Sequence, residues 1–169
     1  MSAMTGVRDL GAIVFREEAR LQDMESVAEI TRSSGFFSDD EISVAVELVE
    51  ERLRRGVASG YHFLFAEQDG HVIGYTCFGP IACTLASYDL YWIAVHESRR
   101  GMGLGKELLN RSERRIVEQG GKRIYAETSS RSQYGPTRAF YGSYGYVVDA
   151  VLRDFYAPGD DKVVFVKVF

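Results

Sequence analysis

Arg100-Gly101-Met102-Gly103-Leu104-Gly105-Lys106 joins an apolar, strand-like run, Leu90 to Val95, to a strongly helical one, Leu104 to Gln119. Glycine weakens a helix start unless its conformational freedom is used, and here glycines alternate across the junction. Without a Cβ the backbone can come close to a ligand, so that successive N–H groups converge on one anion. The helix beyond adds its own unpaired N–H groups and the positive end of its dipole. A diphosphate or a similar group is the natural occupant of such a junction. A ligand-free turn needs one glycine at most and leaves Arg99, Arg100 and Lys106 without a role.

Two familiar phosphate loops do not fit the spacing. A dinucleotide fingerprint needs G-x-G-x-x-G, and counting from Gly101 puts Lys106 at the third glycine; nor is there strand-helix alternation to build a doubly wound sheet. A nucleotide P-loop needs G-x-x-x-x-G-K-[ST]; Arg100 holds the first glycine position and Glu107 replaces the hydroxyl that would hold magnesium. What remains is [QR]-x-x-G-x-G after a strand, filled by Arg100, Gly103 and Gly105. This resembles the acyl-coenzyme A pyrophosphate loop of the GNAT superfamily of N-acetyltransferases.

Composition bounds the alternatives. With 169 residues, 46% of them hydrophobic, the chain suits one domain with a real core and is short for two. A formal charge of -4 and a pI near 5.4 argue against nucleic acid, whose phosphates need a net basic face. Cys77 and Cys83 form no C-x-x-C pair and no secreted disulfide framework, so both read as core or strand thiols. No apolar run approaches the ~20 residues of a membrane span, and the first residues lack the order of a signal peptide. A cytoplasmic protein is expected, with a flexible tip over residues 1–10 and a single domain over residues 11–169.

Punctuation and period give the elements. Ala12 to Phe15 reads as a short strand, and Gln22 to Ser33 as a helix with Met24, Val27, Ala28 and Ile30 near one face. Ser38-Asp39-Asp40-Glu41 is a capping-box signature for a second helix, which Gly56 can stop. Tyr61 to Gln68 and His71 to Phe78 flank Asp69-Gly70, a strong hairpin signal, and Gly79-Pro80 should kink or interrupt the second run. Ser87 to Val95 continues the antiparallel sheet. The third helix follows the glycine loop and ends at Gly120-Gly121, and Lys122 to Thr128 is a further strand. Pro136 suits the first turn of a fourth helix reaching about Tyr144, and two last strands, Tyr146 to Phe155 and Lys162 to Phe169, flank Pro158-Gly159. The order is β-α-α-β-β-β-α-β-α-β-β.

A second motif makes the resemblance specific. In many GNAT members a helix carries a Phe-Tyr pair and ends in Gly followed by an aromatic residue; here these are Phe140, Tyr141, Gly145 and Tyr146. The resemblance spans Ala12 to Phe169 and implies a single GNAT-like α/β (α+β) domain, with a mixed, mostly antiparallel central sheet flanked by four helices. It implies an acetyl-CoA-dependent N-acetyltransferase acting without a metal. The strand ending at Val95 and its neighbour Arg123 to Thr128 should part, and the open rim is a template for pairing. The backbone of Ile93, Ala94 and Val95 is thereby assigned to the pantetheine arm. Arg100, Gly101, Met102, Gly103, Leu104, Gly105 and Lys106 are assigned to the pyrophosphate. Alternation along the strand puts Trp92 and Ala94 on one side and Tyr91, Ile93 and Val95 on the other.

By the same resemblance Tyr141 lies near the thioester sulfur. A phenol, pKa about 10, can protonate a thiolate whose thiol titrates near 8.5; packing over the sheet is the alternative role. Glu127 stands where some relatives place a carboxylate that takes the amine's proton, and an ion pair with Arg123, Arg131 or Lys122 competes with that role. His96 titrates in a useful range but reads better as a solvated loop histidine. His62 and His71 sit in strands without spaced partners, so a metal site has no support. The stretch Ser129 to Tyr134 lacks the asparagine that many relatives use on the cofactor; Tyr134 and Arg138 are assigned there instead, with Arg131 an alternative for the adenosine phosphates. Gly142 inside the fourth helix points to close packing or to mobility beside Tyr141.

The resemblance implies an acceptor groove walled by Ser34 to Asp40, Phe78 to Tyr88 and Phe155 to Asp161. Their aromatic and acidic residues suit a small-molecule amine with an apolar part better than a protein amine. No nucleic-acid or membrane partner is expected, and a homodimer through the edge of the final strands is open to the chain. A non-catalytic acyl-CoA sensor is the second function class; a hydrolase lacks any G-x-S-x-G or cysteine-histidine signature.

Overall fold

A computed structural model describes residues 12–169; the expected flexible tip lies outside the described residues. The elements follow in the expected order: β1 Val14–Arg16, α1 Asp23–Ser33, α2 Asp39–Arg55, β2 His62–Gln68, β3 His71–Pro80, β4 Ser87–Val95, α3 Leu104–Glu118, β5 Arg123–Ser129, α4 Gly135–Ser143, β6 Val147–Ala157 and β7 Asp160–Val168. The strands make one sheet in the order β1-β2-β3-β4-β5-β7-β6. All its pairs are antiparallel except β4 with β5. A parallel pair needs a crossover, and α3 supplies it.

Local chemistry sets the boundaries. At the start of α2 the Glu41 N–H donates to Ser38 Oγ at 3.3 Å, and the Ser38 N–H donates back to Glu41 Oε2 at 2.8 Å. That reciprocal pair satisfies two donors that a helix start leaves bare. In the β2–β3 hairpin Asp69 and Gly70 have φ of 52° and 78°, the left-handed pair that a two-residue turn matching strand twist requires.

Two layers of helices bury the sheet. On one face Val27, Ile30, Ala45 and Val49 from α1 and α2 pack on Phe63, Phe65, Tyr75 and Cys77. On the other, Leu104 and Leu108 of α3 cover Leu64, Ala66 and Ile73, while Leu109, Ile116 and Tyr141 cover Phe78, Leu90, Ile124 and Phe165. Each aliphatic or aromatic side chain buried here contributes about 1.5–3 kcal/mol relative to exposure. The β6 edge differs: all its residues are exposed, and its register with β7 slips beside Asp149 and again between Leu152 and Ala157.

The structure corrects several expectations. The irregularity expected at Gly79-Pro80 falls elsewhere, since β3 runs on to Pro80 and stays paired with Tyr88. It is the pairing of Cys77 with Trp92 and of Phe78 with Leu90 that leaves Tyr91 as an extra residue. This bulge breaks the alternation and turns Tyr91 to the Trp92 side, where its ring meets Tyr61 at 5.4 Å. Cys77 is buried in β3, but Cys83 is exposed in the β3–β4 turn at φ 64°, so it is neither a core nor a strand thiol. Among the described residues no helix is long and apolar enough to cross a membrane.

Candidate active site

β4 and β5 pair only at Ser87, Tyr88 and Asp89, opposite Arg123, Ile124 and Tyr125, and then diverge. Beyond Asp89, β4 remains bonded to β3 as far as Val95, so its other edge presents unpaired backbone groups to the gap. Ile93 and Val95 pack toward α3, whereas Trp92 and Ala94 pack toward α1 and α2. The gap therefore opens on two different chemical surfaces.

The glycine loop closes one end of it. His96 begins a short turn, Glu97–Arg99, by accepting the Ser98 N–H at 3.2 Å. Gly101 and Gly103 then take φ of 73° and 80°, a region that costs an L-residue about 1–2 kcal/mol. The Arg100 N–H goes to Glu97 O and the Glu107 N–H to Gly103 O. Among the described residues, none of the N–H groups of residues 101–106 between them has a backbone acceptor. Donors crowded at a helix start with Arg99, Arg100 and Lys106 alongside fit a diphosphate. Phe140 of α4 packs here too, its ring 3.5 Å from where a Cβ on Gly105 would stand.

Gap, loop and α4 enclose a cleft of about 710 Å³. Of the residues assigned to the cofactor, Ile93, Ala94, Val95, Arg100, Gly101, Gly103, Leu104, Gly105, Lys106 and Tyr134 line it. Met102 and Arg138 do not. Arg138 Nη1 is spent on the carbonyls of Ser129 and Arg131, at 2.7 and 3.0 Å, where it braces the turn before α4. Arg131 lines the cleft instead and pairs with Asp160 Oδ2 at 3.1 Å.

Tyr141 lines the same cleft from beneath, packed against Tyr146, Phe165 and Phe140 with ring centroids 5.4–5.7 Å away. Its hydroxyl has no hydrogen-bond partner among the described residues, and burial holds the phenol well above its ordinary range. It is therefore a neutral donor at any physiological pH. Both roles weighed for it, packing and donation, are physically compatible. The helix breaker Gly142 has no atom within 4 Å of a Cβ built on it, so close packing does not explain it.

Glu127 lines the cleft from β5, and its ion-pair partner is Lys162 of β7 at 2.7 Å rather than Arg123, Arg131 or Lys122. The antiparallel register explains this, since Glu127 faces Val164 and Lys162 lies two residues along β7, on the same face of the sheet. Asp89 lies half-buried nearby; burial first and Glu127 second raise its carboxyl, against Lys162. His96 does not line the cleft, and its Nε2 lies 3.8 Å from Glu29.

The acceptor wall differs from its sequence outline. Phe36, Phe37, Glu41, Tyr156 and Asp160 reach the cleft, but nothing from Phe78 to Tyr88 does, because Phe78 and Tyr88 are core. Tyr91 and Trp92 take that place through the β4 bulge. Burial, then Asp89, pushes the Tyr91 phenol up to about 12. The bulge had no mark in the sequence, since alternation reads the same with or without it.

Comparison with known proteins was consistent with this geometry. The profile of the Acetyltransferase (GNAT) family matches residues 24–146. The chain is 44% identical to a GNAT-family protein of Desulfovibrio desulfuricans whose crystal structure superposes at a TM-score of 0.91, covering 93% of this chain and 99% of that one. It is 26% identical to YuaI, an uncharacterised N-acetyltransferase of Bacillus subtilis, over 78% of this chain and 79% of that protein. The fold also superposes, at a TM-score of 0.72 and 20% identity over 94% of this chain and 100% of the other, on PaiA N-acetyltransferase of Thermoplasma acidophilum in complex with coenzyme A.

Proposed function

The chain belongs to the acetyltransferase (GNAT) family, and from that premise we propose that it moves an acetyl group from acetyl-coenzyme A to the primary amine of a small, metabolite-like acceptor, by direct attack with both substrates bound. The observation that carries this reading is the run of unpaired N–H groups at residues 101–106, sharing one cleft with the open β4 rim and the free Tyr141 hydroxyl. A relative of the same fold is known in complex with coenzyme A.

Acetyl-coenzyme A supplies an acyl carbon already activated as a thioester. The main chain of residues 101–106 holds its diphosphate, and the backbone of Ile93, Ala94 and Val95 pairs with the amides of its arm. A β4 N–H near Val95 donates to the thioester oxygen as negative charge grows there, with no reorganisation needed. Glu127 receives the amine's proton, directly or through a water, while Lys162 keeps the carboxylate oriented. Tyr141 donates to the departing sulfur. Burial penalises phenolate, and it penalises thiolate in the same place, so both acidities shift in the same direction.

The test is thiol release from acetyl-coenzyme A across a panel of primary amines, with Tyr141→Phe beside the native chain. Release with at least one amine, reduced about 100-fold in kcat by the substitution, is the expected outcome. Binding of acetyl-coenzyme A with no release for any amine would make the chain a sensor.

A further inference from the structure

The acceptor half of the cleft is an aromatic corner in which two of the three lining carboxylates, Glu127 and Asp160, already have cations. Phe36 and Phe37, from the link between α1 and α2, lean across the gap. The Phe37 ring meets Trp92 edge-on at 5.0 Å, and Phe36 and Phe37 lie 6.1 and 6.3 Å from Tyr134. Tyr91 and Tyr156 extend the wall, and Phe36, Tyr91 and Tyr156 stand 40%, 39% and 48% exposed within it. Large apolar surface left open inside a concave site is surface that a ligand covers.

Acidic residues at the same wall would suggest a polycation, but their bonding says otherwise. Glu127 is paired with Lys162, and Asp160 with Arg131 and the Ser129 hydroxyl. Glu41 Oε2 is held by the Ser38 N–H and hydroxyl at the start of α2. Asp154 and Asp161 lock the β6–β7 turn: the Asp154 N–H donates to Asp161 Oδ1 at 2.9 Å, and the Gly159 N–H to Asp154 Oδ1 at 2.7 Å. These acids build the turn and the helix start. Among the described residues, Glu41 is the one carboxylate lining the cleft that lacks a cation of its own. A second ammonium group on the acceptor would find one carboxylate without a cation, Glu41, and otherwise only ring faces, which hold a cation less strongly than a free carboxylate does.

We propose that the acceptor is a monoamine carrying an aromatic or similarly flat apolar body, and that polyamines and aminosugars are poor ligands. This rests on the acetyltransferase reading for the identity of the site, but it is separately testable. Trp92 is the sole tryptophan of the chain and stands in this wall, so its fluorescence reports occupancy without any turnover.

Protein saturated with coenzyme A would be titrated with 2-phenylethylamine, ethylamine and spermidine. The expected result is a Kd for 2-phenylethylamine at least about tenfold below those of ethylamine and spermidine, in line with burial of one ring. Phe37→Ala, and the more exposed Phe36→Ala should the first fail to fold, should weaken 2-phenylethylamine about fivefold while acetyl-coenzyme A affinity by calorimetry stays unchanged. Equal affinities for the three amines, or spermidine binding tightest, would overturn the proposal. Failure of acetyl-coenzyme A to bind would sink the acetyltransferase reading instead, and the titration on the free chain would still decide this one.

Discussion

The cofactor half of the cleft is made of main chain and the acceptor half of side chains. Around residues 101–106 the groups we propose for the cofactor are N–H donors, fixed by glycine conformations and by the start of α3. Across the gap the surface is Phe36, Phe37, Tyr91, Trp92 and Tyr156, brought from the α1–α2 link, β4 and β6. A backbone site is indifferent to most substitutions that spare its glycines. A side-chain site can be rebuilt residue by residue without disturbing the fold. One half can thus keep a common donor while the other changes acceptors.

That division predicts which substitutions act on which substrate. Glu127→Gln sits on the acceptor side and should lower kcat about 100-fold, as loss of a general base does, with acetyl-coenzyme A affinity intact. An unchanged rate would mean that Glu127 serves only to pair Lys162. Gly103→Ala attacks the other half: at φ 80° an alanine carries about 1–2 kcal/mol of strain, which the free loop can relieve and the bound loop cannot. Acetyl-coenzyme A should then bind about tenfold more weakly, and the KM for the amine should not move. Parallel changes in both constants would break the comparison.

A smaller effect concerns stability. The Asp89 carboxyl is raised from 3.8 by burial and by Glu127, so the folded protein binds that proton more tightly than the unfolded chain does. Its ionisation therefore costs stability above the folded pKa, and the cost disappears as pH falls below 3.8. Asp89→Asn should raise Tm slightly at pH 7, and the gain should vanish near pH 3.5. A loss at pH 7 would show that the carboxylate is held by stronger partners than Lys162.

The same division explains what could be read from the sequence. The loop and the helices that frame it were legible because their signals are local: glycines two apart, a strand before them, a helix after, and Phe140, Tyr141 and Gly145 at one later helix. The element order and the capping box at Ser38 and Glu41 were legible for the same reason. The acceptor half depends on register. Tyr91 turns only because β4 bulges against β3, and Lys162 meets Glu127 only through the pairing of β5 with β7. Neither leaves a local trace. The structural role of the acidic residues of the last turn was not legible because charge counts do not show hydrogen bonds, and Asp154, Asp160 and Asp161 make theirs within the fold. Arg138 was drawn toward the phosphates by charge alone, whereas the carbonyls of Ser129 and Arg131 hold it.

The claim on which the acetyltransferase reading depends is that main-chain donors of residues 101–106 grip the diphosphate of the acyl carrier. Calorimetric titration with acetyl-coenzyme A and with S-acetylpantetheine, which lacks the diphosphate and the nucleotide, addresses it directly. One site for acetyl-coenzyme A, with S-acetylpantetheine weaker by at least about 100-fold, is the predicted result. No uptake of acetyl-coenzyme A by folded protein, or equal affinity for the two, would contradict it.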